Sequence, residues 1–285
     1  MLFFHKVTVL GVGLVGASFA LAMKKRRLCG SITGFGRKEA SLLRAKEKGI
    51  IDSFEADPGR ACTDSDLVIF SLPVGSFADT AKRVAASLKE GAIVSDVGSV
   101  KGDLVYQMEK ILSSRVSFVG AHPIAGGEKS GSETADADLF EGQKCIITPT
   151  GKTDVAARDA VSGLWRSLGA EVVTMSPGEH DRALGAVSHF PHIVAYEIVN
   201  TIDEIDDSYF RYCGRGLRDI TRIASSSPEL WRDICMLNRQ NLVHFLDIFI
   251  GRLETVKAYL SGPDADSVER EFRRAKILRD GLGQD

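Results

Sequence analysis

The sequence predicts an α/β protein, in which an N-terminal Rossmann-type, doubly wound parallel sheet precedes an all-helical domain. In the first part, short β-branched runs alternate with helical stretches, and that alternation is typical of a parallel sheet. The runs are almost continuously apolar, as strands covered on both faces are. The strand pattern stops after Pro177. A chain of 285 residues holds about two domains, and we place them at 1–177 and 178–285.

The predicted strands follow one another at regular spacing. They are expected at residues 6–11, 31–35, 66–73, 92–98, 116–123, 144–149 and 170–177. Helices are expected at 17–25 and 38–49, the second ending at Gly49, a residue type suited to a helix C-terminus. The last two runs flank a helix near 154–168 and should extend the same sheet.

The second part is predicted to be helical and to form a dimer. Residues 179–202 suggest a helix interrupted at Pro191, and residues 227–260 suggest one very long helix. The apolar residues of this long helix cover more than one narrow stripe, so more than one of its faces needs burial. Because about 105 residues are too few to cover it, we expect a second copy of the chain to do so, giving a homodimer.

Composition excludes several classes of partner. The net charge is −2 and no long run of Lys or Arg occurs, so nucleic acid and an acidic membrane are not expected as partners. The five cysteines form no CxxC pair, which argues against a zinc site or a disulfide framework. No signal peptide is visible, and no apolar run reaches the ~20 residues of a membrane span. These features favour a cytoplasmic protein.

A glycine motif follows the first predicted strand. Gly11, Gly13 and Gly16 have the G-x-G-x-x-G spacing and lead directly into a helix. Gly11 permits the tight turn, Gly13 lets a pyrophosphate approach, and Gly16 lets the helix pack on the strand. The amides of the first helical turn, Leu14 and Val15, would then face the pyrophosphate. The alternative is a purely structural turn.

The end of the second strand bears on the choice of dinucleotide. An acid that would bind the ribose 2′-hydroxyl of NAD is missing there, and Gly36 and Arg37 occupy the position. A guanidinium group suits a 2′-phosphate, so NADP is favoured over NAD. Arg37 as a merely solvated side chain is the alternative.

Two further loops lie where parallel strands end, which is where ligands bind in such sheets. Ser71 and Pro73 lie in the loop at 71–76, and Ser99 lies in the loop at 96–102. We expect all three to line the cofactor. Ser99 is equally suited to cap the following helix.

His122 closes the next strand at the same edge of the sheet. Pro123 fixes the backbone after it, while Gly126 and Gly127 leave room for a ligand. A histidine placed over a nicotinamide is a candidate general base. The alternative is a structural histidine.

With these motifs the chain resembles the prephenate/arogenate dehydrogenases of tyrosine biosynthesis. The resemblance rests on five motifs in order: GVGLVGAS, DVGSVKG, AHPIAGGEKSG, SHFPH and LRDITRIASSSPELW. It spans nearly the whole chain. It implies oxidative decarboxylation of a cyclohexadienol, in which hydride passes to the nicotinamide, the ring carboxylate leaves as CO2, and a phenol forms.

The resemblance also implies roles for single residues. His122 is the general base, and Ser99 contacts both the substrate hydroxyl and the nicotinamide. Arg222 binds a substrate carboxylate and is oriented by Asp219. The remaining substrate-site residues implied by the resemblance are His192, Trp231, Glu128 and Asp181, the two acids belonging to a polar gate.

A metal site is the alternative for the two histidines of SHFPH. No third ligand stands at a convincing spacing from His189 and His192, so no metal is expected. His189 is interpreted as a packing residue outside the site.

One departure from the family pattern favours prephenate over arogenate. Gly127 stands where some members have threonine, and the loop then carries Lys129, whereas the amine of arogenate would favour a carboxylate. No regulatory domain is expected after Asp285, so tyrosine would inhibit by competing at the active site. Two other functions remain open at this stage: an NADP-dependent imine or 3-hydroxyacid oxidoreductase, and a non-catalytic dinucleotide sensor.

Overall fold

The computed structural model describes residues 3–112, 115–126, 131–262 and 264–282. Within them the strands are β1 Phe4–Leu10, β2 Cys29–Phe35, β3 Ser53–Glu55, β4 Leu67–Phe70, β5 Ile93–Asp96, β6 Ser117–Pro123, β7 Lys144–Thr148 and β8 Glu171–Thr174. The helices of the first part are α1 Leu14–Lys25, α2 Glu39–Glu47, α3 Pro58–Cys62, α4 Phe77–Val84, α5 Gly102–Leu112 and α6 Val155–Ser167. Those that follow are α7 Pro177–Leu184, α8 Phe190–Asp206, α9 Arg215–Thr221, α10 Pro228–Leu237, α11 Arg239–Ser261 and α12 Ala265–Asp280.

All eight strands form one sheet in the order β3-β2-β1-β4-β5-β6-β7-β8. The predicted doubly wound α/β fold is confirmed. One detail of the prediction is wrong, because β7 runs antiparallel to β6, with His122 paired to Ile146. No α-helix occurs in the described residues between these two strands, so the chain returns without the crossover that a parallel neighbour needs.

Two short elements are absent from the sequence prediction, the strand β3 and the helix α3. β3 has three residues and α3 five, so both are too short to show a period in the sequence. The side chain of Asp57 caps α3 by accepting a hydrogen bond from the Arg60 amide at 2.9 Å.

The sheet is covered on both faces by apolar clusters. In one cluster Trp165 of α6 packs against Phe19 of α1 and against Phe140, with ring centroids 5.7 and 5.1 Å apart. In the other, Phe70 packs on Phe77. Trp231 and Ile234 of α10 join this second cluster, so α10 packs on the dinucleotide-binding half.

The predicted helix at 179–202 is interrupted before Pro191 rather than at it. Residues Gly185–His189 form a π-helical turn between α7 and α8, and Pro191 lies in the first turn of α8. A proline in a first turn removes an amide that has no helical partner, so it does not break the helix.

The single long helix predicted at 227–260 is also wrong in detail. It is two helices, α10 and α11, which meet at Asn238. The Asn238 amide nitrogen donates to the Asp181 carbonyl oxygen at 2.8 Å and lies 3.0 Å from Nδ1 of His189. These bonds to α7 and the π-helical turn hold the break in place.

The chain divides into two compact units, Met1–Arg239 and Gln240–Asp285. The boundary at residue 177, which rests on the end of the strand pattern, stays a prediction. No helix in the described part of the chain has the length and apolar character of a membrane span.

Candidate active site

The glycine turn after β1 has the shape that a dinucleotide requires. Gly11 has φ +105°, and a Cβ there would lie 2.2 Å from the Ser71 carbonyl oxygen. A Cβ on Gly16 would lie 2.1 Å from the Gly11 carbonyl oxygen. A Cβ on Gly13, by contrast, would meet no atom within 4 Å, so this glycine borders open space. Close packing at the outer glycines and space at the middle one fit a pyrophosphate approaching the first turn of α1.

The end of β2 opens into a pocket of about 270 Å³ that Gly36 and Arg37 line. Arg83 of α4 lines the same pocket, and its guanidinium lies 3.7 Å from the Asp57 carboxylate. Glu39 is the acid on its wall. Arg83 was not predicted from the sequence, because α4 comes some 45 residues after Arg37 in the chain.

The loop after β5 is organised by a buried ion pair. Asp96 and Lys101 bond to each other, and their side chains are 1% and 0% exposed. Asp96 also accepts the amides of Gly98 at 2.9 Å and of Ala121 at 3.0 Å. The pair therefore joins the loop that carries Ser99 to the strand that carries His122.

His122 is buried at the end of β6 and bonds to a second histidine. Its Nδ1 lies 2.8 Å from Nε2 of His180, and Nδ1 of His180 lies 2.8 Å from the Asp181 carboxylate. The same carboxylate oxygen accepts the Lys101 amide at 2.7 Å. His122, His180 and Asp181 thus form a continuous buried chain.

Burial keeps the histidines of this site neutral at pH 7. Desolvation, with help from His180, Lys101 and His189, holds the pKa of His122 well below its usual value of 6.5. Desolvation also lowers the pKa of His180, although the Asp181 carboxylate opposes that shift. A neutral imidazole is the form that can accept a proton.

His189 lies at the centre of the site rather than outside it, contrary to its interpretation as a packing residue. It bonds to the main chain of Ser99 and to Asn238, and burial lowers its pKa to about 4. Through Asn238 it is connected to the Asp181 main chain. It thus links the Ser99 loop to Asn238, the residue that follows the end of α10.

His192 and Trp231 are in direct contact. Their rings are stacked with centroids 3.6 Å apart, and His189 meets Trp231 edge-on at 6.0 Å. Nδ1 of His192 donates to the Ser188 carbonyl oxygen at 2.8 Å, which leaves Nε2 of the neutral ring as an acceptor. The structure therefore connects the predicted residues Ser99, His122, Asp181, His192 and Trp231 through continuous contacts.

Arg222 and Asp219 are exposed at the surface. Arg222 opens the short 3-10 helix Arg222–Ser225, which packs on α8. Tyr196 of α8 donates to the Ser226 carbonyl oxygen at 2.8 Å. The segment is thereby anchored to the helix that carries His192.

The predictions for Gly127, Glu128 and Lys129 concern residues that lie outside the described part of the chain. Asp181 is described and is buried, with its carboxylate bonded to His180 and to the Lys101 main chain. The gate role that the resemblance gives Glu128 and Asp181 stays a prediction. Within the described residues, no group of three or more potential metal ligands occurs.

A glycine turn shaped for a pyrophosphate and a buried neutral histidine at the same sheet edge define a dinucleotide-dependent oxidoreductase. Comparison with known proteins gives the family. A model for the prephenate dehydrogenase nucleotide-binding domain matches residues 19–174, and a model for the prephenate dehydrogenase dimerization domain matches residues 176–274.

Relatives and solved structures agree with these models. The chain is 36% identical to prephenate dehydrogenase of Bacillus subtilis, over 97% of this chain and 76% of that protein. It is 30% identical to cyclohexadienyl dehydrogenase of Zymomonas mobilis, over 100% and 98%. It also superposes on prephenate dehydrogenase of Aquifex aeolicus in complex with hydroxyphenyl propionate and NAD+, with a TM-score of 0.91, 38% identity and 98% coverage of both chains.

The chain therefore belongs to the prephenate dehydrogenase family. It is an enzyme that uses a nicotinamide dinucleotide for the oxidative decarboxylation of a cyclohexadienol in tyrosine biosynthesis. The imine or 3-hydroxyacid oxidoreductase and the non-catalytic sensor, which the sequence left open, are not favoured by these matches.

Proposed function

We propose that the chain oxidises prephenate to 4-hydroxyphenylpyruvate and CO2, with His122 as the general base. The observation that carries the proposal is the buried ring of His122 at the carboxyl end of β6, held neutral beside the Ser99 loop. The cofactor, when bound, supplies a nicotinamide carbon that accepts hydride. The chain's own part is to remove the hydroxyl proton and to hold the substrate.

Different residues remove the hydroxyl proton of the substrate and bind its carboxylate. His122 takes the proton from the ring hydroxyl as hydride departs, and Ser99 orients that hydroxyl. Arg222 binds a substrate carboxylate, for which its planar guanidinium offers two parallel donors. His192, stacked on Trp231, offers a polar atom at the wall of the same site. Loss of CO2 then follows because the product ring is aromatic.

Steady-state rates with prephenate and with arogenate, each with NAD and with NADP, test this assignment. We expect prephenate to be turned over at the higher kcat/KM. The preference is supported by Lys129, a cation where an arogenate-specific site would favour an acid. A higher kcat/KM with arogenate would reverse the substrate assignment, and no turnover of either would remove the proposed function.

NADP is the proposed cofactor because two guanidinium groups flank one pocket. Arg37 and Arg83 line it together, and no acid ends β2. Replacing either arginine by alanine should raise the KM for NADP by about 10- to 100-fold, the scale of a charge-assisted hydrogen bond. The KM for NAD should change little.

Lys82→Ala provides a matched control for Arg83→Ala. Lys82 is the neighbouring cation, it is exposed, and it pairs with Asp79 outside the pocket. It should leave both cofactors unaffected. A wild type that prefers NAD would refute the NADP proposal, whereas equal effects of Arg83→Ala on both cofactors would exclude only Arg83.

Tyrosine is proposed to inhibit by competing with the substrate, since it shares the hydroxyphenyl ring and the carboxylate of the aromatic product. Tyrosine should then raise the KM for prephenate without changing kcat. A fall in kcat at unchanged KM would exclude competition at this site.

A further inference from the structure

We propose that His180 and Asp181 are positioning residues that set the tautomer of His122, so that its Nε2 is the atom that accepts the substrate proton. The inference rests on the proposed base role of His122 and goes beyond it by naming the atom and the groups that select it. It rests on three groups joined in series by two bonds of 2.8 Å.

The direction of each hydrogen bond follows from the Asp181 end. A carboxylate can only accept, so Nδ1 of His180 must carry the proton in its bond to Asp181. The neutral His180 ring then has its lone pair on Nε2. That nitrogen faces Nδ1 of His122, which must therefore donate. The neutral His122 ring is left with its lone pair on Nε2.

Asp181 is fixed so that it cannot easily turn away. Its Oδ1 also accepts the Lys101 amide at 2.7 Å, and its own carbonyl oxygen accepts from Asn238 at 2.8 Å. His180 is fully buried. A Cβ on Gly102 would lie 2.5 Å from Asp181 Oδ2, so the carboxylate packs tightly against the start of α5. The orientation is held from three sides before any substrate binds.

The chain also stabilises the charge that catalysis creates. When His122 takes up a proton, the positive ring remains bonded to His180, and the Asp181 carboxylate lies beyond it. Its attraction favours the protonated product of the transfer. Among the described residues, the titratable and charged groups that face His122 or this chain are Asp96, Lys101, Cys145, His180, Asp181 and His189.

Asp181→Asn tests the charge at the end of the chain. Asparagine keeps an Oδ1 that can accept from the Lys101 amide and from Nδ1 of His180, so the order of the hydrogen bonds is preserved and only the anion is lost. We expect kcat to fall about tenfold, because the protonated His122 ring loses the attraction of the carboxylate, while the KM for substrate stays within about threefold. The acidic limb of the kcat profile should move to lower pH, because the anion that favours the imidazolium is lost.

Two variants of His180 provide the matched comparison. In His180→Gln the side-chain amide can still accept from His122 and donate to Asp181, whereas His180→Leu can do neither. The glutamine variant should retain at least about tenfold more kcat than the leucine variant, a difference that packing alone would not produce. Equal losses in both variants would contradict the tautomer role.

The wild-type enzyme supplies a test that does not depend on a variant folding. Imidazole ¹⁵N shifts, measured on ¹⁵N-histidine-labelled protein with its six histidines, report which nitrogen of His122 carries the proton. We expect Nδ1. A proton on Nε2, or an Asp181→Asn enzyme with wild-type kcat and an unchanged acidic limb, would overturn the inference. Wild-type turnover by His122→Asn would instead refute the base role itself.

Discussion

The sheet half, residues 3–177, and the last helical segment, residues 240–282, bury their apolar side chains to very different extents. In the sheet half, Phe19, Phe70, Phe77 and Trp165 are fully buried. In the helical segment many large apolar side chains are more than half exposed. They include Val243, Ile248, Ile250, Leu253, Leu260, Phe272, Ile277, Leu278 and Leu282.

The sheet half therefore folds around its own apolar core, whereas the helical segment leaves large apolar side chains uncovered within one copy of the chain. Exposed apolar area on this scale marks an association surface in a folded protein. Four of these side chains, Val243, Ile250, Leu253 and Leu260, follow helical spacing on one side of α11, and we call them the α11 stripe. We propose that a second copy of the chain covers it, giving a homodimer.

The largest expected effect lies in the sheet half, at the buried ion pair. Asp96→Ala would leave the Lys101 ammonium buried without a partner, which costs about 3–5 kcal/mol of the free energy of unfolding. Urea unfolding followed by circular dichroism measures this. Lys82→Ala, which breaks an exposed pair, should change stability by no more than about 0.5 kcal/mol. Equal effects of the two variants would show that the buried pair contributes no more than a surface pair.

The next effect lies in the helical segment and concerns association. Val243→Asp places a charge in the α11 stripe and should weaken dimerisation by about 10- to 100-fold, the scale of one buried apolar side chain. His244→Asp, at the neighbouring exposed position outside the stripe, is the control. Sedimentation over a range of concentrations measures both variants. A wild type that sediments only as a 30.9 kDa monomer would refute the homodimer.

Arg222→Ala should mainly weaken substrate binding. Arg222 is assigned to a carboxylate that is present before the transition state, so KM should rise by about 10- to 100-fold while kcat changes less. Steady-state kinetics with the preferred substrate measure this split. A loss confined to kcat would place the arginine in the chemical step instead.

The smallest effect per residue is the pH dependence that a buried histidine gives to the stability of unit Met1–Arg239. The pKa values of His122, His180 and His189 are lowered on folding, that of His189 to about 4. The unfolded chain therefore binds more protons below pH 6.5, and stability falls as pH decreases toward 4. His189 alone should cost roughly 1 kcal/mol at one pH unit below 6.5. Urea titrations at pH 7.5 and 5.5 should differ, and His189→Gln should reduce the difference.

The sequence predicted those parts of the molecule whose signals are local. Gly11, Gly13 and Gly16 lie within six residues, and the position of His122 follows from the strand that precedes it. The reversed direction of β7 was missed because an apolar run looks the same in either direction. The break at Asn238 was missed because the residues on both sides have helical character, and only distant partners in α7 and the π-helical turn fix it.

The same limit applies to the site. Asp181 was chosen by resemblance, yet its neighbour His180 was overlooked, because adjacent positions in a helix give no sign that both side chains reach one strand end. The sequence suggests for His189 only a packing role, whereas its partners are the Ser99 main chain and Asn238. Residues that connect elements far apart in the chain carry little signal in a single sequence.

The pH profile of His122→Asn tests the central claim most directly. Asparagine keeps a hydrogen-bonding side chain but cannot accept the proton, so kcat should fall by about 10²–10⁴-fold. The wild type should show its acidic limb below pH 6.5, because the pKa of His122 is lowered, and this limb should be absent from the variant. Cofactor affinity should change little, since the pyrophosphate is assigned to Gly11–Gly16. Near-wild-type turnover with the same acidic limb would show that His122 is not the base.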